Sequence, residues 1–117
     1  MNELKRNYDL EERTLSFAKN ARGLVKRISN TIANIEDGKQ LVRSSGSVGA
    51  NYIETNESLS RKDFLLRIKI CRKESKESRY WLNLIEVPEQ FRDDRDILIQ
   101  EARELMNIFG AIVRKLE

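Results

Sequence analysis

The sequence contains no histidine, one cysteine, one proline and five glycines among its 117 residues, and only 7% of the residues are aromatic. The absence of histidine excludes a His-based catalytic triad and a zinc site of Cys and His ligands, and the single Cys71 cannot form an internal disulfide. The few prolines and glycines leave few points at which a long helix must end. No apolar run approaches the length that crosses a bilayer and the first residues are charged, so we expect a cytoplasmic protein without a membrane segment.

Charged residues make up 35% of the chain. Together with abundant Leu and Ile and little aromatic content, this is typical of a helical bundle, and the length suits one hydrophobic core. We therefore predict one all-α domain over residues 1–117, an antiparallel up-down-up-down four-helix bundle with helices at about 9–29, 31–58, 61–86 and 94–116. Asp9 is the predicted N-cap of the first helix, Ser29 or Asn30 of the second, and Ser60 with Asp63 forms a capping box for the third.

Each predicted helix carries one stripe of core residues at intervals of three, four or seven. Cys71 falls on the third stripe, where a buried thiol packs as a small hydrophobe and has no base to activate it. The stripes are Leu10, Phe17, Ala21, Leu24 and Ile28; Leu41, Ser45, Val48 and Tyr52; Phe64, Ile68, Cys71, Ser75, Ser78, Leu82 and Ile85; and Leu98, Ala102, Leu105, Phe109, Ile112 and Leu116.

Six small residues lie among the seven positions 44–50, SSGSVGA. Their poor helix propensity favours a segment that is held helical by close packing, because small side chains allow a neighbouring helix to approach. A phosphate-binding loop is the other interpretation. It lacks the Gly-Lys-Ser/Thr ending and a preceding strand, so we prefer close packing.

The third helix has a second apolar set beside its core stripe. A helix that is apolar on two faces is either central in a larger core or shared with another subunit, so this set favours a homo-oligomer. The other interpretation is that these side chains only cover the edge of the bundle. The set comprises Leu66, Ile70, Tyr80, Trp81 and Leu84.

The same helix is the basic part of the chain, with eight Lys and Arg against three Asp and Glu in residues 60–80. Its lysines recur on one face, where they could neutralise phosphates of RNA or DNA. A solvated outer face of a soluble helix has the same pattern, and both interpretations stay open here. The candidate nucleic-acid-binding residues are Lys62, Lys69, Arg72, Lys73, Lys76 and Arg79.

A further polar set lies next to the small residues and on the third helix: Arg43, Asn51, Glu54, Glu74 and Glu77. Four-helix bundles build di-metal sites from inward carboxylates, but those sites need Glu-x-x-His pairs and this chain has no histidine. An ion-pair network at the surface or between subunits is the better interpretation of these charges. We expect no metal, no cofactor and no catalytic residue.

From Gln40 to Leu82 the chain resembles the 23S ribosomal RNA intervening-sequence protein family. The matching positions are Gln40-Leu41, Arg43-Ser44, Ser47, Ala50-Asn51-Tyr52, Glu54, Ser60, Asp63-Phe64, Lys73-Glu74, Glu77 and Tyr80-Trp81-Leu82. Thr55 stands where the family has a small residue, which leaves the end of the second helix less defined.

The resemblance implies an antiparallel four-helix bundle that assembles as a homopentameric ring, and most members have no established function. The polar set at Arg43, Asn51, Glu54, Glu74 and Glu77 would fix helix packing and subunit register. A related branch, the accessory variability proteins of diversity-generating retroelements, is a basic pentamer that binds nucleic acid and a reverse transcriptase.

We therefore expect a non-enzymatic, homo-oligomeric module that binds RNA or DNA through the basic face of the third helix, with a reverse transcriptase as a candidate protein partner. The alternative is a structural or protein-docking scaffold that does not bind nucleic acid.

Overall fold

The computed structural model describes the backbone of residues 3–117 and the side chains of residues 9–117. Within that range the chain forms four α-helices and no strand, which confirms the all-α class. Two short 3₁₀ turns, Thr55–Glu57 and Glu89–Phe91, precede the third and fourth helices. The helices are α1 (Glu3–Val25), α2 (Ile32–Glu54), α3 (Arg61–Leu84) and α4 (Arg92–Leu116).

The helices pack around one core in a body of 44 × 27 × 20 Å. Helix α1 packs against α2 and α4, and α3 packs against the same two helices. Every predicted stripe residue is buried except Phe64, Ile112 and Leu116, which are half-buried. The helical periodicity of the apolar residues thus predicts the core correctly.

The predicted start of the first helix is wrong. Asp9 lies inside α1 and is not its N-cap, because the preceding residues Glu3 to Arg6 are good helix formers that contain no breaker. The helix also ends earlier than predicted, at Val25. There the backbone N–H of Arg27 donates to the carbonyl of Leu24 at 2.9 Å, a tighter bond than an α-helix makes.

Helix α2 begins after Thr31, not after Ser29 or Asn30 as predicted. The Thr31 hydroxyl accepts a hydrogen bond from the backbone N–H of Asn34 at 3.1 Å. At the other end the α-helix stops at Glu54, and residues 55–57 continue as a 3₁₀ turn. The Thr55 hydroxyl donates to the Tyr52 carbonyl at 2.6 Å, a side-chain bond of the kind that competes with helix continuation.

Helix α3 begins as predicted and ends two residues early. Ser60 Oγ accepts from the N–H of Asp63 at 3.0 Å, but the Asp63 carboxylate accepts from the N–H of Leu59 and not of Ser60, so the capping box is formed only in part. At the C-terminal end the N–H of Glu86 donates to Asn34 Oδ1 at 2.9 Å. That side-chain bond replaces the next helical one.

The small-residue run lies within α2, as the packing interpretation predicts. A Cβ added to Gly49 would stand 2.9 Å from Thr14 Oγ1, so α1 approaches the backbone of α2 closely at this point. On the opposite side of the run, Ser78 Oγ of α3 donates to Ser44 Oγ at 2.9 Å. Small side chains thus let both neighbours of α2 come near.

Candidate nucleic-acid interface

A groove of about 600 Å³ runs between α3 and α4, and it brings five of the six predicted basic residues together. Lys69, Arg72, Lys73, Lys76 and Arg79 form the α3 wall. Their positions are separated by three, one, three and three residues, which spreads them over about a third of the helix circumference and so places them on one side. The α4 wall is formed by Met106, Asn107, Gly110 and Arg114.

Little negative charge faces this groove. Within the described part of the chain, Lys69 has one long ion pair, from its Nζ to Glu117 Oε2 at 3.8 Å, and the other five basic residues of the groove have none. Basic side chains that form no ion pair give the groove a positive electrostatic potential, and the low-dielectric protein walls of a concave surface strengthen it. The groove is therefore suited to an anion that follows the helix axes.

Gly110 lies at the floor of the groove and is buried. A Cβ added there would stand 3.4 Å from Arg114 Nη1 and 3.7 Å from Arg72 Cδ. The two guanidinium side chains therefore flank the glycine from opposite walls. Arg114 was not among the predicted residues. It follows the exposed Asn107 by seven residues, and that helical spacing of two polar residues was the available signal.

Lys62 is exposed in the first turn of α3 and does not line the groove. It precedes Lys69 by seven residues, so it lies on the same face of the helix but beyond the end of the cleft. The site that the structure brings together thus contains Arg114 and not Lys62.

The second predicted surface lies on the side of α3 that is nearer α2. Leu66, Ile70, Trp81 and Leu84 follow one another at intervals of four, eleven and three, which places them on one face. Leu66 and Leu84 are 56% and 47% exposed, whereas Ile70 and Trp81 are half-buried and Trp81 packs against the core. Tyr80, which was predicted to belong to this surface, is exposed, and its ring contacts the Trp81 ring.

Polar residues of the resemblance connect α2 to α3 along this side. Arg67 Nη1 donates to Asn51 Oδ1 at 3.0 Å, and Asn51 in turn donates to the Ser47 carbonyl at 2.9 Å. On α3, Trp81 Nε1 donates to Glu77 Oε1 at 3.2 Å. Glu54 is exposed at the C-terminal end of α2. These contacts agree with a role of Asn51 and Glu77 in helix packing.

The pKa of the Glu74 carboxyl group is subject to opposing effects. Partial burial raises the pKa of its carboxyl group, and the nearby charge of Glu77 raises it further, while Lys73 and Arg43 act in the opposite direction. Arg43 of α2 is therefore near enough to Glu74 of α3 to act on its charge. Among the described residues neither Glu74 nor Glu77 forms an ion pair, so the network expected from the sequence stays a prediction.

Cys71 is fully buried, and its Sγ donates to the Val48 carbonyl at 3.4 Å. Burial raises the pKa of the thiol to about 12, so it stays protonated at neutral pH. Among the described residues, no three Cys, Asp or Glu side chains come close enough to hold a metal ion. No described helix is both long and apolar enough to span a bilayer.

Comparison with known proteins identifies the family of the chain. A family model described as "23S rRNA-intervening sequence protein" matches residues 7–111. The chain belongs to the 23S rRNA-intervening sequence protein family. A crystal structure described as a protein of unknown function from the S23 ribosomal protein family of Bacteroides thetaiotaomicron superimposes with a TM-score of 0.76 at 26% identity. The match covers 92% of this chain and 97% of that one. A search of curated proteins found no significant match.

Proposed function

We propose that this intervening-sequence protein is a non-enzymatic, homo-oligomeric module that binds nucleic acid in the groove between α3 and α4. The observation that carries the proposal is the set of six basic residues on the two groove walls, of which only Lys69 forms an ion pair among the described residues. Neutralisation of phosphates by Lys and Arg supplies most sequence-independent affinity for nucleic acid. Lys and Arg dominate the lining of the groove, so the phosphate backbone and not the base edges is the expected point of contact.

A matched pair of charge reversals tests the groove. The groove variant replaces Lys69, Lys73 and Lys76 by Glu. The control variant replaces three exposed lysines outside the groove by Glu: Lys19, Lys26 and Lys115. Both variants change the net charge equally, so a difference between them reports position and not overall charge. We expect the groove variant to bind RNA and DNA at least about tenfold more weakly than the control. Equal binding by the two variants would contradict the proposal.

We propose further that the domain is an antiparallel up-down-up-down bundle and that copies assemble as a ring, with five subunits as the family resemblance implies. The supporting observation is two apolar spots on one face of α3, Leu66 with Ile70 near its start and Leu84 with Trp81 near its end, about 27 Å apart along the helix axis. Apolar patches of this kind mark protein interfaces. Arg43 and Glu74 lie near each other on the same side of the bundle and would fix subunit register.

Light scattering tests the assembly. Trp81→Glu or Leu84→Glu should give a soluble monomer, since a buried unpaired carboxylate is costly at an interface. Ile97→Glu is the control, because Ile97 is 67% exposed on α4, away from this face. An unchanged mass in both α3 variants would remove the argument from the second apolar face.

A scaffold without nucleic-acid binding is the second candidate, and the same exposed apolar face favours it. It predicts that groove reversal leaves all binding of the protein to its partners unchanged. A reverse transcriptase remains a proposed partner on the strength of the resemblance alone.

A further inference from the structure

Tyr80 is an exposed aromatic residue on the lysine face of α3. It follows Lys76 by four residues and Lys73 by seven, so helical geometry places the three side chains on one face. The side chain is 58% exposed. The residue was predicted from the sequence to lie at a subunit interface together with Trp81, and its place on the lysine face also makes it available to a ligand of the groove.

The Tyr80 ring is held in place from one side. Its centroid lies 5.0 Å from the Trp81 ring with an interplanar angle of 78°, an edge-on contact of the kind aromatic pairs prefer. Trp81 is itself fixed, because its indole N–H donates to Glu77 and the ring packs against the core. Less side-chain entropy is therefore lost when a ligand contacts Tyr80.

We propose that Tyr80 stacks on an unpaired base of a single-stranded nucleic acid whose phosphates lie along the basic groove. Proteins that bind single strands combine a positive groove with aromatic side chains on which bases stack. Lys76 and Tyr80 are one helical turn apart, about 6 Å along the axis. That rise is comparable to the separation of neighbouring phosphates in an extended strand, so one nucleotide can contact both residues.

This inference rests on the proposed function of the groove and adds a ligand class to it. A duplex keeps its bases stacked inside the helix and gains nothing from an exposed ring. The chemistry is shared by RNA and DNA, because every base has a π-face. Tyr80 would therefore favour single strands over duplexes without specifying sequence.

The test measures binding of the full chain to a short oligouridine, to an oligothymidine of equal length, to a duplex, and to a single strand of the same length whose positions are abasic. The variants are Tyr80→Ala, Tyr80→Phe and, as a surface control, Ile97→Ala. We expect Tyr80→Ala to weaken binding to single strands about tenfold and to leave duplex binding nearly unchanged. Tyr80→Phe and Ile97→Ala should bind as the wild type does.

The abasic strand makes the test specific for stacking. The abasic strand keeps the phosphates and lacks the bases, so Tyr80→Ala should not weaken its binding further. The effects of removing the tyrosine ring and of removing the bases on the binding free energy should therefore be non-additive. Trp81 is the single tryptophan and touches Tyr80, so its fluorescence should change with the normal strand and not with the abasic one.

Three results would overturn the inference. One is an equal loss on single strand and duplex, and another is dissociation of the oligomer by Tyr80→Ala, which would assign the residue to the interface. In the third, charge reversal of the groove lysines abolishes binding while Tyr80→Ala has no effect on it. That result would refute stacking by Tyr80 and leave the proposed function of the groove in place. If the wild type binds none of the four probes at low salt, the proposed function itself fails.

Discussion

Two glycines of this chain should respond to alanine in opposite directions. A Cβ at Gly23 would have no atom within 4 Å, whereas a Cβ at Gly49 would stand 2.9 Å from Thr14 Oγ1 and 3.2 Å from Thr14 Cβ. Alanine is favoured over glycine in a helix by about 1 kcal/mol at either position. At Gly23 nothing opposes that gain.

At Gly49 the close approach of α1 opposes it. Overpacking in a well-packed core costs about 1–3 kcal/mol, so Gly49→Ala should leave the free energy of unfolding between unchanged and about 2 kcal/mol lower. The two variants should therefore differ by about 1–3 kcal/mol, or about 4 °C in Tm per kcal/mol for a chain of this size.

Chemical and thermal unfolding at one fixed protein concentration measure the difference, because oligomerisation makes stability depend on concentration. Thr14→Ala serves as the internal control. It removes the hydroxyl nearest the new methyl group, so the penalty of Gly49→Ala should shrink in that background. If Gly49→Ala stabilises the protein as much as Gly23→Ala, the close contact between α1 and α2 is wrong.

Two further predictions concern buried polar groups. Asn34→Ala should lower the free energy of unfolding by about 2 kcal/mol, because it removes the hydrogen bonds to the carbonyls of Ser29 and Glu86 and the one from the Glu86 N–H. Urea unfolding measures this, with Asn30→Ala as the control. Equal free energies of unfolding for the two variants would refute the prediction. Burial raises the pKa of Cys71 to about 12, so the folded state retains a proton that the unfolded thiol loses above its ordinary pKa of about 8.5. Stability should therefore fall as pH rises from about 9 toward about 12, less steeply in Cys71→Ala, and a thiol reagent at pH 8 should modify Cys71 only on unfolding. Rapid modification of the folded protein would contradict the burial of this thiol.

The core was predictable because its signal is local and repeated. Residues such as Phe17, Leu41, Ile68 and Leu105 recur at the helical period, and burying one side of each helix fixes which residues meet. Five groove cations were predictable for the same reason, since a single helix carries them. The spacing of residues within one helix fixes which of them share a face, and this does not depend on how the neighbouring helices pack.

Contacts that join distant segments were not predictable in this way. Asn34 looks like an ordinary turn residue, yet it ends α3 by bonding Glu86, which is 52 residues further along the chain. Arg114 resembled a cation that only favours the end of a helix, and its place in the groove follows from the packing of α4 on α3. Helix ends depended on such contacts, and the start of α1 was missed because Asp9 looks like a cap in a stretch that is helical on both sides.

The salt dependence of binding tests the central claim most directly. Each phosphate neutralised adds about −0.7 to the slope of log affinity against log salt for a single strand, so six groove cations predict a slope of about −4. Reversal of Lys69, Lys73 and Lys76 should reduce the slope to about −2 or less, while reversal of Lys19, Lys26 and Lys115 should leave it near the wild-type value. A slope near zero, or the same steep slope in both variants, would contradict nucleic-acid binding by the groove.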